Sequence, residues 1–408
     1  MKILGIETSC DETAASVVED GVKILSNVVV SQIDIFAEYG GVIPEVAARS
    51  HLEVMMPVVK KALEDAGCSW DDIDAIAVTH APGLLGSLLI GTLTARTLAI
   101  LHNKPLYAVH HLKSHVYANW LLDRSRARSS SDTRRYAPAS QGAFKGARPS
   151  LRSSKDLVST SIQFPILALV VSGGHTQILY MPAHNQFEII GTTRDDAVGE
   201  CFDKVAKILG LPYPGGPSIA AAAEGRHILL GHTQGRSAKL TVLGEHGDLQ
   251  PGDADKYRLP HPKIPGLDFS FSGLKTAVLR AVQKEVGVPI SYPSHKLKDL
   301  LSERQVCDFA ASFQKTAVEI LCEKMKLALE RYPDAKSIVV AGGVSANENL
   351  RKKMLEKFDN NVKIYFPELM LSGDNGAMVA AAAYYEIQSG VKPADPYSLN
   401  IYPRVEID

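Results

Sequence analysis

Residues 165–182, PILALVVSGGHTQILYMP, read as an apolar strand, a polar turn of small residues and a second strand. Short apolar, β-branched runs bounded by Ser and Gly are the pattern of buried strands. The same succession opens the chain. KILGIETS at 2–9 is an apolar run ending in Thr8 and Ser9, and AASVVEDGVKILSNVVV at 14–30 gives two further strands joined at Asp20-Gly21, a hairpin signal. DDIDAIAVTHAPG (71–83) and KPLYAVHH (104–111) supply more strands, separated by the helical stretch GSLLIGTLTARTLAILH (86–102). Strands alternating with helices predict an α/β fold, and two halves that open alike predict two similar lobes.

Two such lobes with a polar turn at the head of each suggest a nucleotide in the cleft between them. Ser, Thr and Gly let backbone N–H groups approach phosphate without side-chain obstruction. SGGH at 172–175 is one such turn. AGGVSANENLR at 341–351 is another, following the strand SIVVAGG and preceding a helix whose N-terminus favours an anion. Either turn reads equally as a plain loop. No P-loop and no GxGxxG fingerprint occur, which disfavours a Walker-type ATPase and a simple dinucleotide site and leaves a cleft-type fold.

HHLKSHV at 110–116 raises a second chemistry. On a helix, His111 and His115 share one face at the spacing two imidazoles need to reach one metal ion, although a solvated helix face with no ligand has the same pattern.

Composition bounds the rest. With 408 residues, 45% hydrophobic and 22% charged, the chain is of globular type and long enough for more than one core. No apolar run reaches the roughly 20 residues that span a bilayer. The opening MKILGIETSCDET turns polar after six residues, unlike a secretory signal, so a cytoplasmic location is expected. The five cysteines are widely spaced without a CxxC pair and read as reduced thiols. The net charge of −1 is unevenly distributed: residues 124–156 hold nine Lys or Arg against two Asp, a local +7. This Ser/Arg-rich stretch lacks the apolar surface to offset its ordering entropy and is expected as a disordered insertion, either a solvated loop or an arm that attracts nucleic-acid phosphate. Residues 232–257 also read as an elaborated loop. The expected division is a first lobe at 1–123, the basic insertion at 124–163, a second lobe at 164–388 with an insertion near 232–257, and a C-terminal tail at 389–408 packing back on the body.

The succession GIETSCDETAASVV, GGVIPEVAARSHLE, APGLLGSLLIG, HHLKSHV, LVVSGGHTQI, GECFDKVAKILGLPYPGGP, LDFSFSGLKTAV, AGGVSANENLR and SGDNGAMVA resembles the tRNA N6-adenosine threonylcarbamoyltransferase family, formerly labelled O-sialoglycoprotein endopeptidases. It runs in order through nearly the whole chain, the two insertions excepted. The resemblance implies a two-lobed actin-like ATPase fold, ribonuclease H-like and duplicated, with a central cleft. It implies one divalent metal ion per subunit, held by His111, His115 and Asp374, with Fe(2+) the first choice and Zn or Mn the alternatives. It implies a substrate pocket for threonylcarbamoyl-AMP made by Val170, Val171, Ser172, Gly173, Gly174, Asp203, Gly216 and Asn347. From sequence alone, Asp203 beside Lys204 and Lys207 reads as well as a helix-surface carboxylate. Asp11 and Glu12, in the SCDET turn, are candidates for positioning or proton acceptance, though paired acids after a strand also form turns.

The implied reaction transfers the threonylcarbamoyl group to the N6 amine of adenosine 37 in tRNAs reading codons that begin with adenine, releasing AMP. The metal is the natural polariser of the carbonyl. Val170 and His175 stand where the archaeal and eukaryotic cytosolic branch has Tyr and Asn, which places the chain with the bacterial or organellar branch. The implied partners are tRNA and, in a bacterial complex, an inactive paralogue and a P-loop ATPase, with no membrane. Ser114 departs from the Gly or Ala usual before the second histidine, and its hydroxyl could disturb ligand geometry. A metalloprotease would present HExxH, whereas Leu112 follows His111. A sugar or acetate kinase would share the fold without needing His111, His115 and Asp374, and a regulatory nucleotide-binding module would need no intact ligand set.

Overall fold

The computed structural model describes residues 1–37, 39–122, 162–233, 236–243, 250–358 and 362–407, with the backbone alone for 227–243. The basic insertion expected at 124–163 lies almost wholly outside the described residues. The chain runs β1 (Lys2–Glu7), β2 (Glu12–Glu19), β3 (Lys23–Ser31), α1 (Ile33–Ala37), α2 (Pro44–Ala66), β4 (Ala75–Ala81), α3 (Leu85–Leu101), β5 (Leu106–His110) and α4 (His111–Tyr117). It continues with β6 (Ile166–Val171), β7 (Thr176–Met181), β8 (Glu188–Thr192), α5 (Val198–Leu209), α6 (Gly215–Ala223), β9 (His227–Thr233), β10 (Arg236–Leu243) and α7 (Ser272–Glu285). Last come α8 (Glu303–Arg331), β11 (Ser337–Ala341), α9 (Glu348–Phe358), β12 (Lys363–Tyr365) and α10 (Gly376–Gln388).

Among the described residues these strands form two five-stranded sheets of one design, ordered β3-β2-β1-β4-β5 and β8-β7-β6-β11-β12. In each, the first strand pairs antiparallel with a hairpin partner and parallel with the strand that returns through a helix. The strand order and pairing senses are those of the duplicated actin-like fold. Asp20 and Gly21 both have positive φ, the backbone a two-residue hairpin requires, and close β2 onto β3. Every residue of β6 and β11 is buried, as central strands covered on both faces demand.

Outer faces and shared middle divide the core. On the first sheet Leu4, Ile6 and Val17 pack under Met55, Val58 and Val59 of α2 and Leu98 of α3. On the second, Leu167, Leu169 and Val171 pack under Val205 of α5, Phe309 and Phe313 of α8 and Met354 of α9. Each fully buried side chain of this size contributes about 1.5–3 kcal/mol. Between the sheets, α4 touches both, its Leu112 and Val116 sharing one buried cluster with Ala77 and Val109 of the first sheet, Ala168 and Val339 of the second, and the run Ala380–Ala383 of α10. The small side chains allow close approach: a Cβ added at Gly5 of β1 would stand 2.1 Å from the Gly376 carbonyl oxygen of α10.

Two sequence expectations change here. The stretch from 232 begins inside an antiparallel hairpin, β9 with β10, rather than a loop throughout; RSAKLTVL at 236–243 alternates polar and apolar residues as a strand does. A boundary at 388 gives α10 to the second lobe by chain order, yet α10 packs on the first sheet, chiefly on β1 and β2, where its small side chains allow close approach. Beyond it the tail returns to the first lobe, where Ala394 N–H donates to Leu106 O and Arg96 donates to the carbonyls of Pro396 and Tyr397. No helix among the described residues is long and apolar enough to cross a membrane.

Candidate active site and metal centre

The carboxyl ends of the central strands converge on the cleft, the usual ligand position in open α/β sheets. β1 ends at Glu7, β5 runs directly into α4, and β6 and β11 end at the turns 172–175 and 342–347.

His111 and His115 occupy one face of α4 with ring centroids 4.6 Å apart. Asp374, from the loop before α10, brings Oδ1 to 3.7 Å from His111 Nε2 and 3.1 Å from His115 Nε2. One ligand atom from each of the three lies within 4.8 Å of the others. Both histidines are buried, His115 Nδ1 has no hydrogen-bond partner, and both Nε2 atoms are turned toward the Asp374 carboxylate. Two imidazoles and a carboxylate are a donor set for a divalent metal with open positions, so the residues present fit such an ion.

Glu7, which the sequence reading left out, completes this centre. Fully buried, it accepts hydrogen bonds from Ser9 N–H at 2.5 Å and Thr79 Oγ1 at 2.6 Å, and its Oε2 lies 3.2 Å from His111 Nδ1. A carboxylate on Nδ1 fixes the tautomer that leaves Nε2 free to ligate. Desolvation opposes charge on His111, but Asp374 and Glu7 outweigh it and hold the ring's pKa up at about 9. Burial raises that of Asp374, and the facing His111 and His115 reverse this, to about 2. The signal in sequence was a lone charge closing an otherwise apolar strand. His175, likewise unassigned, is lowered to about 4 by burial and by repulsion from His111 and His115. Ser114 does not disturb the ligands, since its hydroxyl turns back to donate to His110 O at 3.3 Å.

The turn after β1 is held rigidly. Cys10 O accepts from Ser87 Oγ at 3.0 Å and from His51 Nε2 at 2.9 Å, while Asp11 O accepts from Gln32 N–H at 3.1 Å. Asp11 is buried, and burial with the charge of Asp374 pushes its carboxyl pKa up. Burial and the charge of Asp11 push the carboxyl of Glu12 up as well.

The turn after β6 offers backbone instead. Val170 and Val171 are buried in the strand; at Gly173 and Gly174 an added Cβ would meet nothing within 4 Å, so the chain presents bare backbone to open space. Gly199 of α5 closes from behind, its Cβ direction blocked by Ser172 O at 2.5 Å. Asp203 accepts from Gly215 N–H at 2.7 Å, pinning the PGGP turn, and burial raises its carboxyl to about 6, with Asp11 adding. Lys204 pairs with Asp196 and Glu200, so Asp203 is not the solvated helix carboxylate that its neighbours allowed. Gly216 opens to space, as Gly173 does. Asn347 is committed at both ends: Nδ2 donates to Gln314 Oε1 at 2.8 Å, and Oδ1 accepts from Leu350 N–H at 3.0 Å.

The profile of one family, described as tRNA N6-adenosine threonylcarbamoyltransferase, matches residues 23–128 and 152–381. The chain belongs to that family. Among relatives bearing this name, the Dehalococcoides mccartyi protein is 41% identical over 411 residues, covering 100% of this chain and 99% of the relative. The Symbiobacterium thermophilum protein is 40% identical over 392 residues (96% and 93%), and that of Bacillus cereus is 40% identical over 408 residues (100% and 96%). Among solved structures, full-length HypF in its phosphate- and nucleotide-bound form aligns at TM-score 0.48 and 11% identity, over 95% of this chain and 46% of that one. The matched stretches contain His111, His115 and Asp374 and both polar turns.

Proposed function

We propose that this protein transfers the threonylcarbamoyl group from threonylcarbamoyl-AMP to the N6 amine of adenosine 37 in tRNAs reading codons that begin with adenine. The observation that carries this reading is the buried His111, His115 and Asp374 cluster beside an open glycine turn, in a chain of this family. The N6 lone pair attacks the carbamoyl carbon, the new C–N bond forms, the C–O bond to the phosphate breaks, and AMP leaves with the electron pair. An exocyclic adenine amine is a weak nucleophile, so placement and charge stabilisation carry most of the catalysis.

A divalent ion on His111, His115 and Asp374, Fe(2+) by first choice with Zn or Mn as alternatives, would supply Lewis-acid polarisation of a substrate oxygen. Glu7 orients His111 for that ion. The backbone of Ser172, Gly173, Gly174 and Gly216 cradles the phosphate, with Val170 and Val171 forming the apolar floor. Asp203 binds ribose hydroxyls with the oxygen that Gly215 leaves free, and Asn347 bounds the nucleoside end. Asp11 accepts the N6 proton, with Glu12 supporting its charge. The partners are tRNA and, as in the bacterial branch, an inactive paralogue and a P-loop ATPase, in the cytoplasm.

Purified protein is incubated with threonylcarbamoyl-AMP and unmodified tRNA, with and without the paralogue and ATPase, and the tRNA nucleosides are analysed by mass spectrometry. N6-threonylcarbamoyladenosine is expected. Its absence under every condition, from folded and metal-loaded protein, would remove the proposal.

A further inference from the structure

Two segments that border the cleft, the 342–347 turn and the 366–374 loop, are tied together by one side chain. Arg351, in the first turn of α9, donates from Nε to Ser345 O at 2.6 Å and from Nη2 to Pro367 O at 2.8 Å and to Ser372 Oγ at 3.3 Å. Its guanidinium carbon stands 5.0 Å from the Phe366 ring centroid, a cation–π distance. Ser345 and Ser372 are both buried, and Ser372 is two residues before Asp374. On the far side the same loop is held by Asn375, whose Nδ2 donates to Gly373 O at 2.8 Å and whose Oδ1 caps α10 at Met378 N–H. Gly343 and Gly373, one in each tied segment, present bare backbone to open space.

We infer that Arg351 is a positioning residue: it fixes Asp374 for the metal through the 366–374 loop and, through the same fork, sets the 342–347 turn that bounds the nucleotide. The second half rests on the reading of that turn as part of the substrate pocket. The geometry requires arginine. A planar fork reaches acceptors in two segments at once, whereas a lysine ammonium on a flexible stem reaches one and leaves the other carbonyl unpaired. Arg351 touches neither metal nor substrate; it acts through Asp374 and the turn.

Wild-type protein stripped of metal is compared with Arg351→Gln, Arg351→Lys and Ser372→Ala. Four quantities are read: Co(2+) affinity by titration, the visible absorption bands of bound Co(2+), AMP affinity by calorimetry, and thermal midpoint. Removal of a residue supporting a ligand costs about 10–100-fold in metal affinity. Arg351→Gln is expected to weaken Co(2+) by that amount, shift its bands and weaken AMP as well. Ser372→Ala, which removes one of the two bonds from Arg351 to the 366–374 loop and none to the turn, weakens Co(2+) about threefold and leaves AMP unchanged. Arg351→Lys recovers part of one affinity but not both; if the Gln variant does not fold, the Lys and Ala variants decide. Folded Arg351 variants with wild-type Co(2+) bands and affinity overturn the inference while leaving the proposed function standing. Wild-type protein that takes up no Co(2+) overturns the metal reading and the inference with it.

Discussion

The turns after β1 and after β6 occupy the same place in two sheets of the same design, yet they carry opposite equipment. Residues 8–12 hold the buried Asp11 and half-buried Glu12, with the buried Glu7 just before them and the carbonyls of Ser9, Cys10 and Asp11 pinned by neighbours; residues 172–175 hold bare glycines facing open space. A duplicated scaffold has thus divided its labour: one lobe concentrates charge, the other exposes backbone. Charge concentrated in a buried site is driven toward protonation unless cations face it: burial raises the carboxyls of Asp11 and Glu12, whereas His111 and His115 hold that of Asp374 down. Bare backbone carries no such penalty and suits an anion brought by the substrate.

The largest expected break comes on the charged side. His111→Ala combined with His115→Ala should abolish metal uptake, measured by elemental analysis, and lower kcat by about 100–1,000-fold, the scale of losing one main electrostatic stabiliser. Glu7→Gln keeps the shape but weakens the hold on His111 Nδ1. Metal affinity should fall about 10–100-fold, read by chelator competition, and a wild-type value would deny Glu7 its orienting role.

Smaller effects follow on the backbone side and away from the cleft. Gly174→Val projects a side chain into open space, so stability should stay within about 0.5 kcal/mol while KM for threonylcarbamoyl-AMP rises about tenfold. Glu386 on α10 is buried away from both turns, and burial raises its carboxyl from 4.5 to about 7. Because the folded state holds the proton more tightly than the unfolded one, this group favours folding below about pH 4.5 and loses that advantage as pH rises to about 7. Glu386→Gln should therefore stabilise the protein at pH 8 by up to about 3 kcal/mol and leave activity unchanged, as urea unfolding at pH 5 and 8 would show.

Much of this was legible in the chain. Alternation of strands and helices gave the architecture, Asp20-Gly21 the hairpin, and SGGH the open turn, because each is written in adjacent residues. The metal cluster was half legible: helical spacing paired His111 with His115, but nothing local joins them to Asp374, and only the family resemblance did. Glu7 escaped because a charge at a strand end normally marks the exit to solvent. Asn347 was legible as a polar residue in a turn, but not its double commitment to Gln314 and Leu350, which depends on α8 crossing behind the turn. The hairpin at 227–243 was obscured by the glycines around it.

The division of labour is tested most directly by steady-state kinetics with threonylcarbamoyl-AMP and tRNA on Asp11→Asn and Gly174→Val side by side. The account predicts that Asp11→Asn lowers kcat with KM for threonylcarbamoyl-AMP unchanged, and that Gly174→Val raises that KM with kcat nearly unchanged. The reverse pattern, or both variants moving the same parameter, would contradict it.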